Sequence, residues 1–201
     1  MESGPTHLLL VRHGETPWNA AGRWQGHGDP GLSERGRAQA RELARILVAE
    51  RDAGDDWQGV VASDLARARE TAEVVAQALD VGLELDARLR ELDVGRWSGL
   101  TREEILARDP ETLAAFERGL PDVRPGGGEC RVEIRERAQA FVGDLARRRA
   151  GERLVVVTHL GVIRALVPGS RPANTARIAV VAETIASRPI DRSQRPGEGP
   201  L

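Results

Sequence analysis

Short apolar runs alternate along the chain with longer segments in which apolar residues recur every three or four positions. Such runs are typical of buried strands, whereas the spaced residues share one face of a helix. Five runs predict strands at residues 7–11, 59–62, 83–85, 154–157 and 176–181. Strands separated by helices predict an α/β fold, a three-layer α/β/α sandwich with a mostly parallel central sheet.

The helical pattern is clearest in three segments. One helix begins after Ser33, which can cap it, a second follows the strand at 59–62, and a third follows the glycines at 126–128. Residues 101–119 predict two short helices that are interrupted near Pro110.

The length of 201 residues suits one domain. We assign it to residues 1–186, with residues 101–127 as a helical cap that sets specificity. Residues 187–201 are mostly Arg, Pro, Gly and Ser, a composition that predicts a disordered tail.

Composition excludes several kinds of chemistry. All 29 basic residues are arginine, so a Schiff-base lysine and the phosphate-binding lysine of a P-loop are excluded. Cys130 is the single cysteine, which excludes an intrachain disulfide. The net charge of −2 gives no reason to expect nucleic acid or an anionic membrane as a partner.

The sequence shows no recognisable targeting signal or membrane-spanning segment. Its first six residues include an acid and no apolar run, unlike a secretory signal. Its apolar runs are far shorter than the ~20 residues of a membrane helix. A cytoplasmic protein without a membrane partner is the prediction.

Two histidines follow predicted strands. His13 comes directly after Arg12 at the end of the first strand, and His159 follows the strand at 154–157. Ligands of open α/β sheets bind beyond the carboxyl ends of the strands. One such histidine is equally typical of an ordinary solvated turn, but two, each close to a glycine, are hard to explain by packing.

Two further residues are candidates for the same site. Arg67 lies in the first turn of a predicted helix, where backbone N–H groups already favour an anion, although an exposed helical arginine is the common alternative. Glu91 is either an acid/base residue or a solvated loop acid. Together with the strand-end residues, these side chains predict a cationic pocket for a phosphate, with an imidazole that can attack phosphorus.

The motifs resemble the histidine phosphatase superfamily, also called phosphoglycerate-mutase-like. The resemblance rests on ordered blocks between residues 7 and about 182, namely 11–19, 25–29, 32–40, 63–72, Glu91 with Gly95 and Trp97, 127–129, Arg137 and 158–161. Many relatives have glycine where this chain has Leu160, and the segment from 159 to 174 is short for the family.

The resemblance implies a role for each matched residue. His13 is the phosphorylated nucleophile, and Arg12, Arg67 and His159 form the phosphate pocket. Glu91 donates a proton to the leaving oxygen and then activates water. Substrate-binding roles fall to Asn19, Gln25, Thr16, Gly26 and Leu160. The family implies no metal and no cofactor.

The implied function is metal-independent hydrolysis of a small phosphorylated metabolite, of sugar phosphate or phosphoglycerate type, by a monomer or homodimer. A cofactor-dependent phosphoglycerate mutase is the alternative. Dedicated mutases of this family are longer, with a larger insert between the catalytic glutamate and the second histidine. Here only 67 residues separate Glu91 from His159, which favours hydrolysis. A non-catalytic phospho-ligand binder is the second alternative. The cap contains four arginines, at positions 102, 108, 118 and 124, together with Ile105, Leu113 and Phe116. Such a cap suits a phosphorylated sugar acid, a sugar phosphate or an aromatic ester.

Overall fold

A computed structural model describes residues 4–190 of the chain. Its centre is a five-stranded sheet of β1 (His7–Arg12), β2 (Gly59–Ala62), β3 (Leu83–Leu85), β4 (Arg153–Thr158) and β5 (Arg177–Val181). The strands follow the order β3-β2-β4-β1-β5. All neighbours are parallel except β1 and β5, which are antiparallel. The predicted mostly parallel sheet is therefore confirmed.

Eight helices join these strands in the described part of the chain. They are α1 (Pro17–Ala20), α2 (Glu34–Asp52), α3 (Ala66–Leu79), α4 (Arg102–Arg108), α5 (Pro110–Glu117), α6 (Arg131–Arg148), α7 (Leu160–Leu166) and α8 (Ala182–Ala186). The starts of α2 and α5 have local causes. Ser33 Oγ accepts from the Gly36 amide at the start of α2, and Pro110 occupies the first position of α5, where it suits a helix start.

The three central strands, β2, β4 and β1, are buried on both faces, and the two faces have separate cores. Leu9, Val11 and Val157 pack with apolar residues of α2 and α3 on one face. Leu10 and Val156 pack with residues of α6, α7 and α8 on the other. The three-layer sandwich is thus confirmed, with its strands held between two helical layers.

The segment 101–127 forms α4, α5 and a loop beside the second core. Ile105 and Leu113 are buried in that core. Phe116 meets Trp24 and Trp97 edge to face, with ring centroids 5.5 and 6.1 Å away. This segment therefore contributes an aromatic cluster that stays partly exposed.

The end of the chain is described only as far as Ile190. Residues 191–201 of the predicted disordered tail lie outside the described residues. Residues 187–190 are placed, and Arg188 accepts a hydrogen bond from Gln139 and donates one to the Leu166 carbonyl, at 3.1 Å each. Within residues 4–190 no helix has the length and apolar character needed to cross a membrane.

Candidate active site

The register of the two central strands brings the two histidines together. β1 and β4 are parallel neighbours, and their last residues, Arg12 and Thr158, are paired. His13 and His159 follow directly, and the His13 amide donates to the Thr158 carbonyl at 3.0 Å. Their imidazole centroids are 5.1 Å apart. The sequence prediction that both histidines meet at one edge of the sheet agrees with this geometry.

The hydrogen bond of His13 identifies its reactive nitrogen. Its ring is buried, and Nδ1 lies 2.7 Å from the Gly14 carbonyl oxygen. A carbonyl can only accept, so Nδ1 carries the hydrogen. Burial, then the charge of Arg67, hold the pKa of His13 well below its usual value. The ring is therefore neutral near pH 7, and the lone pair lies on Nε2.

His159 is fully buried at the start of α7. Neither ring nitrogen has a hydrogen-bond partner among the described residues. Burial, followed by the charge of Arg67, lowers its pKa well below the usual value. Buried polar atoms are normally hydrogen-bonded, so two unpartnered nitrogens beside His13 fit a site shaped for a polar ligand.

Two arginines approach the histidines from different elements. Arg12 ends β1, and its Nη1 donates to the Pro172 carbonyl at 3.0 Å. Arg67 is 0 % exposed, and its terminal nitrogens donate to the Gly26 and Gly28 carbonyls, both at 2.8 Å. The Nε atoms of both arginines are buried without a partner in the described residues. Arg69, two residues further along α3, is half exposed beside Glu73, as the helical spacing predicts.

Asp29 anchors the start of α3 and the Arg67 side chain together. Its carboxylate accepts from the amides of Ala66 and Arg67 and lies 3.2 Å from Arg67 Nη1. An acid at a helix start offsets the exposed N–H groups there. Asp29 therefore fixes the loop that carries Gly26 against Arg67.

Glu91 is held by backbone amides at the start of α7. Its Oε1 accepts from the Leu92 amide at 2.8 Å and from the Gly161 amide at 2.9 Å. Its carbonyl accepts from Arg137 at 3.0 Å. The charge of Glu91 raises the pKa of both Arg12 and Arg67, against the larger effect of their burial. Glu91 is therefore part of the same electrostatic site, with Oε2 less tightly held than Oε1.

Gly161 is the glycine close to His159 in the sequence, and its contact with Glu91 was not predicted. A Cβ at this position would lie 2.2 Å from Glu91 Oε1, a distance that no real contact allows. A glycine in the first turn of a short helix lowers helix stability, and that cost is the signal that could have identified it.

We expect Gly161→Ala to displace Glu91 without disrupting the sheet. Turnover of alkyl phosphates should fall about 10²-fold, within the range of a misplaced acid. Steady-state kinetics test this, with Gly143→Ala as control because its added Cβ would meet only ordinary contacts. Equal activity of the two variants would show that Glu91 tolerates the shift.

The remaining predicted binding residues form a connected loop. Thr16 caps α1 by accepting from the Asn19 amide at 3.0 Å, and its hydroxyl donates to Gln25 at 2.9 Å. Thr16 is fully buried and lies behind the cavity wall, so it holds Asn19 and Gln25 in place. Asn174, also missed from the sequence, donates to the His13 carbonyl at 2.9 Å.

Most of these groups line one cavity of about 410 Å³. Its lining includes seven of the predicted residues, Arg12, His13, Asn19, Gln25, Gly26, Glu91 and Leu160. Arg67 and His159 do not line it but lie buried next to His13. The cap contributes Phe116, Gly119 and Pro121 to the outer wall.

The cap arginines do not face the cavity. Arg102 pairs with Glu117 and Arg124 with Glu133, while Arg108 and Arg118 are exposed. Of the cap residues named from the sequence, Phe116 does line the cavity, and the role of the cap in specificity stays a prediction. The arginines on the outer wall come instead from Arg23 and from α6 and α7.

The site combines a neutral imidazole with a free Nε2, buried cations and a carboxylate that is held by amides. Such a set can bind a phosphate dianion, attack its phosphorus and exchange a proton with the leaving oxygen.

Comparisons with known proteins agree with this chemistry. The model of the histidine phosphatase superfamily, branch 1, matches residues 8–182. Phosphoglycerate mutase-like protein 4 of Arabidopsis thaliana is 40 % identical over 167 residues, which cover 82 % of this chain and 71 % of that protein. The metal-independent phosphoserine phosphatase of the same plant is 39 % identical over 168 residues, covering 83 % and 69 %. The vanadate complex of mycobacterial glucosyl-3-phosphoglycerate phosphatase has a TM-score of 0.76 at 31 % identity, covering 86 % of this chain and 91 % of that one.

Proposed function

The chain belongs to the histidine phosphatase superfamily, and from its site we propose that it is a metal-independent phosphomonoester hydrolase that acts on a small phosphorylated metabolite. The reaction proceeds through a phosphorylated His13. The observation that carries this proposal is the hydrogen bond from His13 Nδ1 to the Gly14 carbonyl, because it leaves Nε2 as a nucleophile at neutral pH.

The first step forms the phosphoenzyme. The lone pair of His13 Nε2 attacks phosphorus while the ester P–O bond breaks. The leaving oxygen takes a proton from Glu91, whose Oε2 is the freer of its two oxygens. Arg12, Arg67 and His159 bind the phosphoryl oxygens, and fixed cations around these oxygens supply most of the stabilisation that phosphoryl transfer needs.

The second step returns the enzyme to its starting state. Glu91, now a carboxylate, takes a proton from a water molecule whose oxygen attacks the phosphorus of phospho-His13. The P–N bond breaks, inorganic phosphate leaves and His13 is neutral again. Hydrolysis needs only that water reaches His13, and the cavity of about 410 Å³ is much larger than the roughly 30 Å³ of one water molecule.

A substrate panel tests the proposal. The purified protein is incubated with phosphomonoesters in the presence of a metal chelator, and released phosphate is measured at several pH values. 3-Phosphoglycerate is included, and its 2-phospho isomer is followed separately. We expect metal-free phosphate release from some members of the panel.

Two other outcomes would redirect the assignment. Interconversion of the phosphoglycerate isomers without release would make the protein a compact mutase. Tight binding of phosphate esters without any turnover would make it a phospho-ligand binder.

A further inference from the structure

Three arginines on the outer wall of the cavity have no role in the two steps above. Arg131 and Arg135 lie one turn apart on α6, and Arg164 lies on α7. All three line the same cavity as His13. Residues four apart share a helix face, so the first two point to the same region.

Backbone carbonyls, not carboxylates, hold these arginines. Arg131 donates to the Phe116 carbonyl at 3.2 Å and lies 4.3 Å over the Phe116 ring. Arg135 donates to the Ala165 carbonyl at 3.4 Å, and Arg164 donates to that of Ser170 at 3.3 Å. A carbonyl fixes the direction of a guanidinium without forming an ion pair with it.

The lack of an acidic partner distinguishes them from the fourth outer arginine. Arg23 lies 3.1 Å from Glu104. By contrast, within residues 4–190 none of the ion pairs involves Arg131, Arg135 or Arg164. The Nε of Arg131 is also buried without a partner in that range. Burial, then the charge of Arg164, lowers the pKa of Arg131, and a bound anion would relieve both effects.

Arg164 connects this group to the phosphate pocket. Its charge lowers the pKa of Arg12 on one side and that of Arg131 on the other. Glu91 in turn raises the pKa of Arg164, although burial has the larger, lowering effect. The charge of Arg164 therefore acts on both Arg12 of the phosphate pocket and Arg131 of the same cavity, in addition to the larger effect of their burial.

We propose that Arg131, Arg135 and Arg164 form a second anion site, which binds a carboxylate or a second phosphate on the leaving group of the substrate. The inference rests on the proposed function and specifies its substrate class, a small phosphomonoester with two anionic groups. Guanidinium groups bind both kinds of anion through paired N–H donors. The apolar rings of Trp24 and Phe116 line the same cavity, and charge interactions beside apolar groups are stronger than in bulk water.

Matched substrate pairs test the inference. 3-Phosphoglycerate and glycerol 1-phosphate differ by a carboxylate in place of a hydroxymethyl group. Propane-1,3-diol bisphosphate and its monophosphate differ by the second phosphate. For each pair, the ratio of kcat/KM values measures preference for the second anion, and p-nitrophenyl phosphate serves as the reference with one anionic group.

We expect a wild-type ratio of 10 or more for at least one pair. Arg131→Gln and Arg164→Gln should each lower that ratio about 10- to 100-fold, the effect of a lost hydrogen bond to a charged group. Arg41→Gln removes the same charge from an exposed position on α2, across the sheet, and should leave the ratio unchanged. The pair that responds identifies the second anion as carboxylate or phosphate.

The opposite results separate the two proposals. A wild-type ratio near one for both pairs, with p-nitrophenyl phosphate hydrolysed, overturns the second anion site and leaves the hydrolase intact. A high ratio that Arg131→Gln and Arg164→Gln do not change also overturns it. Failure to release phosphate from every substrate overturns the proposed function itself. The wild-type ratio needs no variant, so an unstable variant cannot obscure the answer.

Discussion

Replacing His13 by alanine should reduce turnover at least about 10⁴-fold, because it removes the atom that forms the covalent bond to phosphorus. The buried cations would still bind phosphate esters, so the variant should retain ligand binding. His13 lies beyond the last residue of β1, and its loss should leave the sheet folded. Circular dichroism and steady-state kinetics measure both expectations, and His7→Ala at the exposed start of β1 is the matched control.

Peptide mapping can identify which histidine carries the phosphoryl group. Because the chain has no lysine, trypsin cleaves only after arginine, and His13 and His159 fall on separate peptides, residues 13–23 and 154–164. A substrate labelled in its phosphate should place the label on the first peptide of the wild type. Label on the second peptide, or full activity of His13→Ala, would end the assignment of His13 as nucleophile.

Glu91→Gln should slow the formation of the phosphoenzyme by about 10²- to 10⁴-fold for alkyl phosphates, which have poor leaving groups. The loss should be less than about tenfold for p-nitrophenyl phosphate, whose leaving group departs without a proton. The glutamine Oε1 can still accept from the Leu92 and Gly161 amides, so the loop should keep its position.

Single-turnover measurements are needed for this variant because Glu91 serves both steps. The release of the leaving group reports the first step alone. The second step, attack of water, should be slower by the same factor for every substrate. If the first step slows equally for all leaving groups, Glu91 is not the proton donor.

The sequence predicted the sheet well because its three central strands, β2, β4 and β1, are buried and form continuous apolar runs. β2 and β3 have the predicted bounds, and β4 extends one residue beyond the prediction at each end. The helix start expected directly after His159 is that of α7, whereas two short helices, α1 and α8, were missed. α1 buries no residue and so has no apolar face, and α8 has five residues, too few for a helical period to be visible.

Within the site, the sequence predicts the location of residues that directly follow a strand of the sheet. His13 and His159 follow aligned parallel strands, so their proximity follows from the topology alone. The arginines differ, because the partner of each depends on contacts between distant segments. Arg124 forms an ion pair with Glu133, nine residues away, and does not line the cavity. Arg131 lines the cavity and donates to a backbone carbonyl instead of a carboxylate. Among 29 arginines, the sequence does not reveal this distinction.

The central place of β1 and β4 has a consequence for how the protein loses activity. Each of these strands is hydrogen-bonded on both sides, and the His13 amide belongs to the same ladder. Amides in the middle of a buried sheet exchange with solvent only when the whole domain opens. Fraying of the edge strands β3 and β5 would leave the two histidines aligned. Loss of catalysis on heating should therefore coincide with global unfolding, with no earlier inactivation at the histidines.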